Sequence, residues 1–186
     1  VAATEWSWAS LIFDMDNDGW KDIFVANGIY KDLLDQDYIN FMATPDAVRE
    51  MIQKEGKAIE NLVDMMPTEP VYNYYFGNNK DLTFSNKSRE WSSAGPGFSN
   101  GSAYSDLDND GDLDLVLNNL NSPAQILKNT AKANYLAVIL EGEAPNIHAI
   151  GSKVKLQVGR ETLYQELSPM RGFQSSVDYR LYFGLD

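Results

Sequence analysis

Asp106-Leu107-Asp108-Asn109-Asp110-Gly111-Asp112-Leu113-Asp114 packs five carboxylates into nine residues and runs directly into the apolar Leu115-Val116-Leu117. A near copy lies upstream, Asp14-Met15-Asp16-Asn17-Asp18-Gly19-Trp20-Lys21-Asp22, followed by Ile23-Phe24-Val25. The chemistry of this stretch decides the reading of the whole chain. Calcium takes six to eight oxygen ligands in a flexible shell. Aspartates at the first, third and fifth positions of a tight turn aim three carboxylates at one centre. Glycine at the sixth permits a bend that a side chain obstructs. The backbone carbonyl at the seventh position (Trp20, Asp112) adds an oxygen. The ninth-position aspartate (Asp22, Asp114) is expected to close the shell with both of its own. The candidate ligands are therefore Asp14, Asp16, Asp18, Trp20 and Asp22 for one calcium ion, and Asp106, Asp108, Asp110, Asp112 and Asp114 for a second.

As far as the glycine the pattern is also that of an EF-hand, so the endings arbitrate. An EF-hand needs Glu at the twelfth position and a helix beyond it. Here the twelfth positions are Val25 and Leu117, inside runs rich in β-branched and large apolar residues that read as buried strands. Metal-free acidic Asx-turns are the plainer alternative. Without a counter-ion, however, four or five clustered carboxylates repel one another until some protonate or splay. Two loops agreeing at five positions favour metal.

Composition narrows the partners. Net charge is −12, with nine of the 27 acidic residues in the two loops. Such a surface disfavours nucleic acid and anionic membranes, whose binding rests on Lys and Arg. Hydrophobic content of 44% and charged content of 23% are those of a globular protein with a real core. Cysteine is absent, which excludes disulfides and thiolate metal sites. No run of 18 apolar residues exists to span a membrane. Weak calcium loops fill at ambient concentrations of roughly 0.1–1 mM, so the expected location is extracytoplasmic: secreted, periplasmic or on an outer-membrane surface.

Along the chain, strands are expected at 6–14 and 22–27, on either side of the first loop. Residues 31–66 then carry two helical patterns (Leu34, Tyr38, Phe41 and Met42; Val48, Met51, Ile52, Ile59, Leu62, Val63 and Met66). Thr44 and Pro45 are placed as N-cap and first helical residue of the second, and Pro67 ends it. Strand character returns at 71–76, 82–86, 100–105, 115–118 and 124–128. The loops are 92 residues apart, 106 less 14; removing the 36 residues of 31–66 leaves 56, the length of one four-stranded unit. That is a β repeat whose first copy carries an insertion. Residues 134–186 form a separate small β domain, with strands at 135–140, 154–158, 163–167 and 179–183.

The two Asp-x-Asp-x-Asp-Gly-x-x-Asp loops resemble FG-GAP/VCBS-type repeats, each of which builds one blade of a β-propeller. Asn146-Ile147-His148-Ala149-Ile150-Gly151-Ser152-Lys153-Val154, with Arg171-Gly172-Phe173-Gln174-Ser175-Ser176 and Phe183-Gly184-Leu185, resembles an ASPIC/UnbV domain. The insertion around Asp37–Met42 and the string Asn78–Phe84 resemble large secreted or outer-membrane-associated proteins of Bacteroidetes-type bacteria. The resemblance implies a mainly β fold: two four-stranded blades of a partial propeller (1–133) with an inserted pair of helices, then the C-terminal β domain (134–186). Propellers have four to eight blades and this chain has sequence for two. It is therefore expected to be the C-terminal part of a longer protein, with the remaining blades as partners.

No catalytic constellation emerges. His148 is the sole histidine, and nothing in the spacing of Ser152 or Asp178 recommends them as its partners. It reads as a turn residue. Tyr72, Tyr74, Tyr75, Phe76 and the four tryptophans suit a blade core better than a sugar platform. The expected function is a non-catalytic calcium-binding module engaging a protein or glycan. The alternatives are the non-catalytic part of a propeller-based polysaccharide-active enzyme, or a structural part of a surface assembly.

Overall fold

The structure, a computed structural model, describes residues 4, 6–55, 58–171 and 175–185. Its N-terminal part is built from two antiparallel sheets made to one plan. In the first, β1 (Ser7–Phe13), β2 (Asp22–Asn27), β3 (Tyr74–Asn78) and β4 (Phe84–Asn86) lie side by side in that order. β1 alternates strictly, with Ala9, Leu11 and Phe13 buried and Ile12 facing out, as the two-residue strand period requires. In the second sheet β5 (Ser99–Ser105), β6 (Asp114–Asn119) and β7 (Gln125–Leu127) follow the same order.

The match between the sheets extends well beyond the acidic loops. Both open with a register irregularity, between Ser7 and Ala9 and between Ser99 and Gly101, 92 residues apart. In both, the first serine hydroxyl donates to the last asparagine of the next strand: Ser7 to Asn27 (3.0 Å) and Ser99 to Asn119 (2.7 Å).

Residues opposite one another in a ladder share a face. Leu11, Phe24 and Tyr75 therefore line one face of the first sheet, while Tyr104, Leu115 and Leu127 line one face of the second. These two faces meet in a single core, where Phe13 stacks on Tyr104 at 4.4 Å. Counted by the 92-residue repeat they are opposite faces of the unit, because Leu115 corresponds to Ile23, not to Phe24. The sheets thus pack head to tail, an interface that does not close on itself.

Between β2 and β3 run α1 (Gln36–Met42), α2 (Pro45–Glu55) and α3 (Ala58–Asp64). The first expected helix is α1, and α2 and α3 lie within the second; residues 56–57, between them, and the side chains of Met51 and Ile59 lie outside the described residues. Pro45 does open α2, but the Thr44 hydroxyl turns back to donate to the Asn40 carbonyl (3.1 Å). The clear N-cap belongs to α1, where Asp35 accepts from the Tyr38 N–H (2.9 Å).

The sequence departs from the structure in three further places. β3 begins at Tyr74, and Val71 instead makes an isolated bridge with Gly97. A short helix, α4 (Ser88–Trp91), follows β4 and sets Trp91 against the core. Lastly, the second sheet has three strands among the described residues where four were expected. After Leu127 the chain turns at Asn129 and enters the C-terminal part.

That part contains β8 (Tyr135–Val138), the hairpin β9 (Lys153–Val158) and β10 (Glu161–Glu166), the small pair β11 (Met170–Arg171) and β12 (Ser175–Ser176), and β13 (Leu181–Gly184). β13 returns to pair with β8, and all four of its residues are buried. Leu181 and Phe183 join a local core with Leu167, while Tyr182 points into the core of the two sheets. One strand thereby serves both cores.

Candidate functional site

The loop joining β1 to β2 and the loop joining β5 to β6 have the same internal wiring. In the first, the Asp18 and Gly19 N–H groups donate to the two oxygens of Asp14 (3.0 and 2.9 Å). In the second, Asp110 and Gly111 do the same to Asp106 (both 3.1 Å). Asn17 and Asn109 both adopt φ 60°, and Gly19 and Gly111 take 85° and 93°. These are left-handed values that asparagine and glycine tolerate best. The sharp bend turns the first, third and fifth carboxylates to one point. Asp14, Asp16 and Asp18 bring oxygens within 4.8 Å of one another, and so do Asp106, Asp108 and Asp110. Each trio can hold a metal ion.

The ninth-position aspartates also accept hydrogen bonds from the backbone. Asp22 Oδ2 accepts from the Met15 N–H (2.9 Å), and Oδ1 from the Asn78 N–H (2.9 Å). Asp114 accepts likewise from Leu107 (3.0 Å) and Asn129 (2.8 Å). Both residues are 2% exposed; Asp22 ties its loop to β3, and Asp114 ties its loop to the segment just beyond β7. At the seventh position Trp20 is exposed and Asp112 buried, with Asp112 Oδ1 lacking any hydrogen-bond partner.

Asn78 and Asn129 are a matched pair that sequence reading passed over. The Asn78 amide donates to the Lys21 carbonyl (2.9 Å), and that of Asn129 to the corresponding Leu113 carbonyl (3.3 Å). The offset between copies falls from 92 at the loops to 51 at these asparagines. The difference of 41 residues locates the whole insertion between β2 and β3. Two lysines were missed as well. Lys80 pairs with Asp18 at 2.9 Å, and Lys128 pairs with Asp108 and, at 3.3 Å, with Asp110. The signal that finds the two asparagines is the alignment of the copies carried past the loops, where Phe76 and Leu127 occupy equivalent ladder positions; the lysines stand at non-equivalent positions of that alignment.

Electrostatics fit a cation. Burial pushes Asp14 up to about 6, with the charges of Asp18 and Asp16 adding to it against the Gly19 N–H. Burial likewise raises Asp22 to about 7 and Asp16 above the ordinary carboxylate range. In the second loop burial leads again, with Asp110 beside it, in raising Asp112 to about 7. Asp14, Asp22 and Asp112, buried acids that resist ionising beside an oxygen-only donor set, match what a hard divalent cation relieves. An ion held there neutralises the carboxylates and pins the turn between two strands.

Both loops lie against each other and against the C-terminal part. The Asn17 side chain donates to the Gly111 carbonyl (3.1 Å), and that of Asn129 to the Met15 carbonyl (2.6 Å). Gly184 of β13 presses on the first loop so closely that a Cβ there would fall 2.3 Å from Asp14 Oδ2 and from the Asn17 backbone. Tyr135 of β8 covers the second loop, 1.8 Å from where a Cβ on Gly111 would stand. Arg180, held by Asp178 at 2.8 Å, reaches Asn109 Oδ1 at 3.3 Å. His148 lies in a turn, exposed and stacked on Tyr179 at 4.4 Å. Of the expected core aromatics, Tyr75 and Phe76 are buried and Tyr72 is exposed. No described helix is long and apolar enough to cross a membrane.

Comparison with curated proteins finds no match for this chain. The segment that carries β9 to β13, whose last strand packs on the acidic loops, does have a family: residues 142–186 match the model described as ASPIC and UnbV. Within the C-terminal signature, Gly172, Phe173 and Gln174 lie outside the described residues. The sheet that completes this region begins earlier, at Tyr135 in β8.

Proposed function

We propose that the chain is a non-catalytic, calcium-stabilised binding and scaffolding module that works outside the cytoplasm. In this reading the two sheets are FG-GAP/VCBS-type blades of a larger β-propeller, and the ASPIC/UnbV region caps them. The observation that carries the reading is the duplicated loop: two three-carboxylate clusters with the same wiring, each at the entrance to a buried strand. The head-to-tail packing of the sheets supports the propeller, because such an interface repeats until a ring closes. Calcium fits the oxygen-only donors and flexible loop better than magnesium, which demands a near-ideal octahedron and keeps its waters. Asp14, Asp16 and Asp18 would hold one ion; Asp106, Asp108 and Asp110 the other, with Asp112 beside them. The ions set strand pairing, and the blade surfaces are left to engage a protein or glycan ligand.

An ion bound only by the folded state stabilises by mass action, about 2.7 kcal/mol at a hundredfold excess over Kd. Thermal melting in excess chelator and in millimolar calcium tests the proposal, with titration calorimetry for stoichiometry. The expected result is a clear rise in Tm and two ions per chain. An unchanged Tm overturns it.

A further inference from the structure

Gly184 and Tyr135, which press on different loops, stand opposite one another in the β8–β13 ladder. Gly184 lies against Asp14 Oδ2 and the Asn17 backbone, and a Cβ on Gly19 would stand 3.3 Å from its carbonyl oxygen. Tyr135 lies over Gly111, whose N–H donates to Asp106. Just beyond this rung the Leu185 N–H donates to the Asn134 carbonyl (2.9 Å) and holds the two strands together. Arg180, at the entrance to β13, reaches the second loop again at Asn109. One pair of strands therefore covers both acidic loops. The loops meet beneath it, where the Asn17 side chain donates to the Gly111 carbonyl.

We propose that the β8–β13 pair is a clasp that couples the two calcium sites: an ion in either loop strengthens binding in the other and holds the C-terminal part on the sheets. This rests on the proposed function and deepens it, by giving both sites one control. The physical reason is the cost of covering charge. Asp14 and Asp106, the first aspartates of the two loops, are both buried. Seating a strand pair over an empty loop takes ionised carboxylates out of water, which is unfavourable. Nearby cations offset only part of this: Lys21 and Lys80 face four aspartates at the first loop, and Lys128 and Arg180 face five at the second. An ion in the loop removes the penalty, so it binds more tightly when the clasp is seated. By linkage it favours seating in return, by the same factor. Because Gly184 and Tyr135 share one rung, the clasp does not seat on one loop while standing off the other. The first ion thus orders the cover of both loops, and the second enters a turn already in place. The bond from Asn17 acts in the same direction, since the Gly111 carbonyl it holds belongs to the turn that closes round the second ion.

The test is calcium titration of the 186-residue chain by calorimetry, beside chains in which one loop is disabled by Asp16→Ala or Asp108→Ala. The single-loop chains give the affinity of each site alone. The expected result is that the product of the two binding constants in the intact chain exceeds the product of the single-loop constants about fivefold or more. Amide exchange in Tyr135–Val138 and Leu181–Gly184 should slow with calcium, and disabling either loop should speed it in both strands together. Tyr135→Ala, which uncovers the second loop, should lower the coupling factor about twofold or more while each single-loop affinity holds. Retained calcium-dependent melting shows that this variant folds, and the comparison of intact with single-loop chains stands without it. Equal products, exchange in β8 and β13 indifferent to calcium, or a coupling factor untouched by Tyr135→Ala in a folded chain overturns the inference. Two ions bound independently refute the clasp alone; no ion bound at either loop refutes the proposed function with it.

Discussion

The loops at 14–22 and 106–114 share a skeleton and differ in what surrounds it. In the first, Asn17 is 2% exposed, wedged against Gly111 and under Gly184. In the second, the corresponding Asn109 is exposed and accepts from Arg180 at its tip. The first loop lends one carboxylate to a lysine; the second gives Lys128 two. A repeated motif thus becomes two unlike sites: an enclosed one with one lysine on one carboxylate, and an open one whose lysine holds two. What is common to both is the ninth-position aspartate. It is there that the comparison breaks most easily. Asp22→Ala or Asp114→Ala leaves two backbone N–H groups without their acceptor, the Met15 N–H buried and the other three part-buried, and each lost acceptor costs about 1–3 kcal/mol. The expected loss is about 2–4 kcal/mol for either variant, measured by urea unfolding in chelator. A much smaller loss at one site would mean that its loop is not held through that aspartate.

The next effect separates the covers of the two loops. Gly111→Ala places a Cβ on Tyr135 and forces alanine to φ 93°, so about 2–3 kcal/mol of destabilisation is expected. Tyr135→Ala in the same chain should recover part of it, because the clash is lifted and the backbone strain is not. Gly184→Ala collides with the backbone of Asn17 and with Asp14, and no single truncation relieves that. Double-mutant cycles on unfolding free energy distinguish the cases. Additivity at Gly111 and Tyr135 would show that β8 does not bear on the loop.

The acidic loops were legible because ligand chemistry acts through local spacing: three aspartates and a glycine specify the turn wherever it sits. The same holds for β1, whose alternation is visible in Ala9, Leu11 and Phe13. What escaped were features set by distant residues. Asn78 and Lys80 are ordinary turn residues until β3 pairs with β2 and brings them to Asp22 and Asp18. Asp22 was read from its position alone, and its two backbone donors, Met15 and Asn78, come into view only in the folded chain. The missing fourth strand was hidden for a related reason. Residues 124–128 look like their counterparts, and only topology shows that no described strand pairs with their outer edge. Gly184 was visible only as part of the C-terminal signature, since its need for a missing Cβ comes from a loop 170 residues away (184 less 14).

Protons and calcium should compete for the enclosed loop, with a definite sign. Asp14 and Asp22 have folded pKa values near 6 and 7, above the ordinary aspartate value. A carboxyl shifted upward contributes stability that is full below about pH 4 and is lost as pH rises through its folded pKa. In chelator the chain should therefore weaken between about pH 4 and pH 7. In calcium that decline should flatten or reverse, because deprotonation then supplies ligands. Urea midpoints at pH 4.5, 6 and 7.5 check this, and parallel slopes in the two buffers would show that no ion is bound at these acids.

The smallest effect addresses the open loop. An incoming ion must displace Lys128 from Asp108 and Asp110, whereas at the enclosed loop it displaces Lys80 from Asp18 alone. Exposed ion pairs contribute little, so the gain from removing either lysine is modest. Lys128→Met should tighten calcium binding at the second loop by roughly three- to fivefold, and Lys80→Met should do less at the first. Calorimetry on chains with the other loop disabled by Asp16→Ala or Asp108→Ala resolves each site. Were Lys128→Met to weaken binding, the lysine would be organising the carboxylates for the ion instead of standing in for it, and the two loops would be more alike than their surroundings suggest.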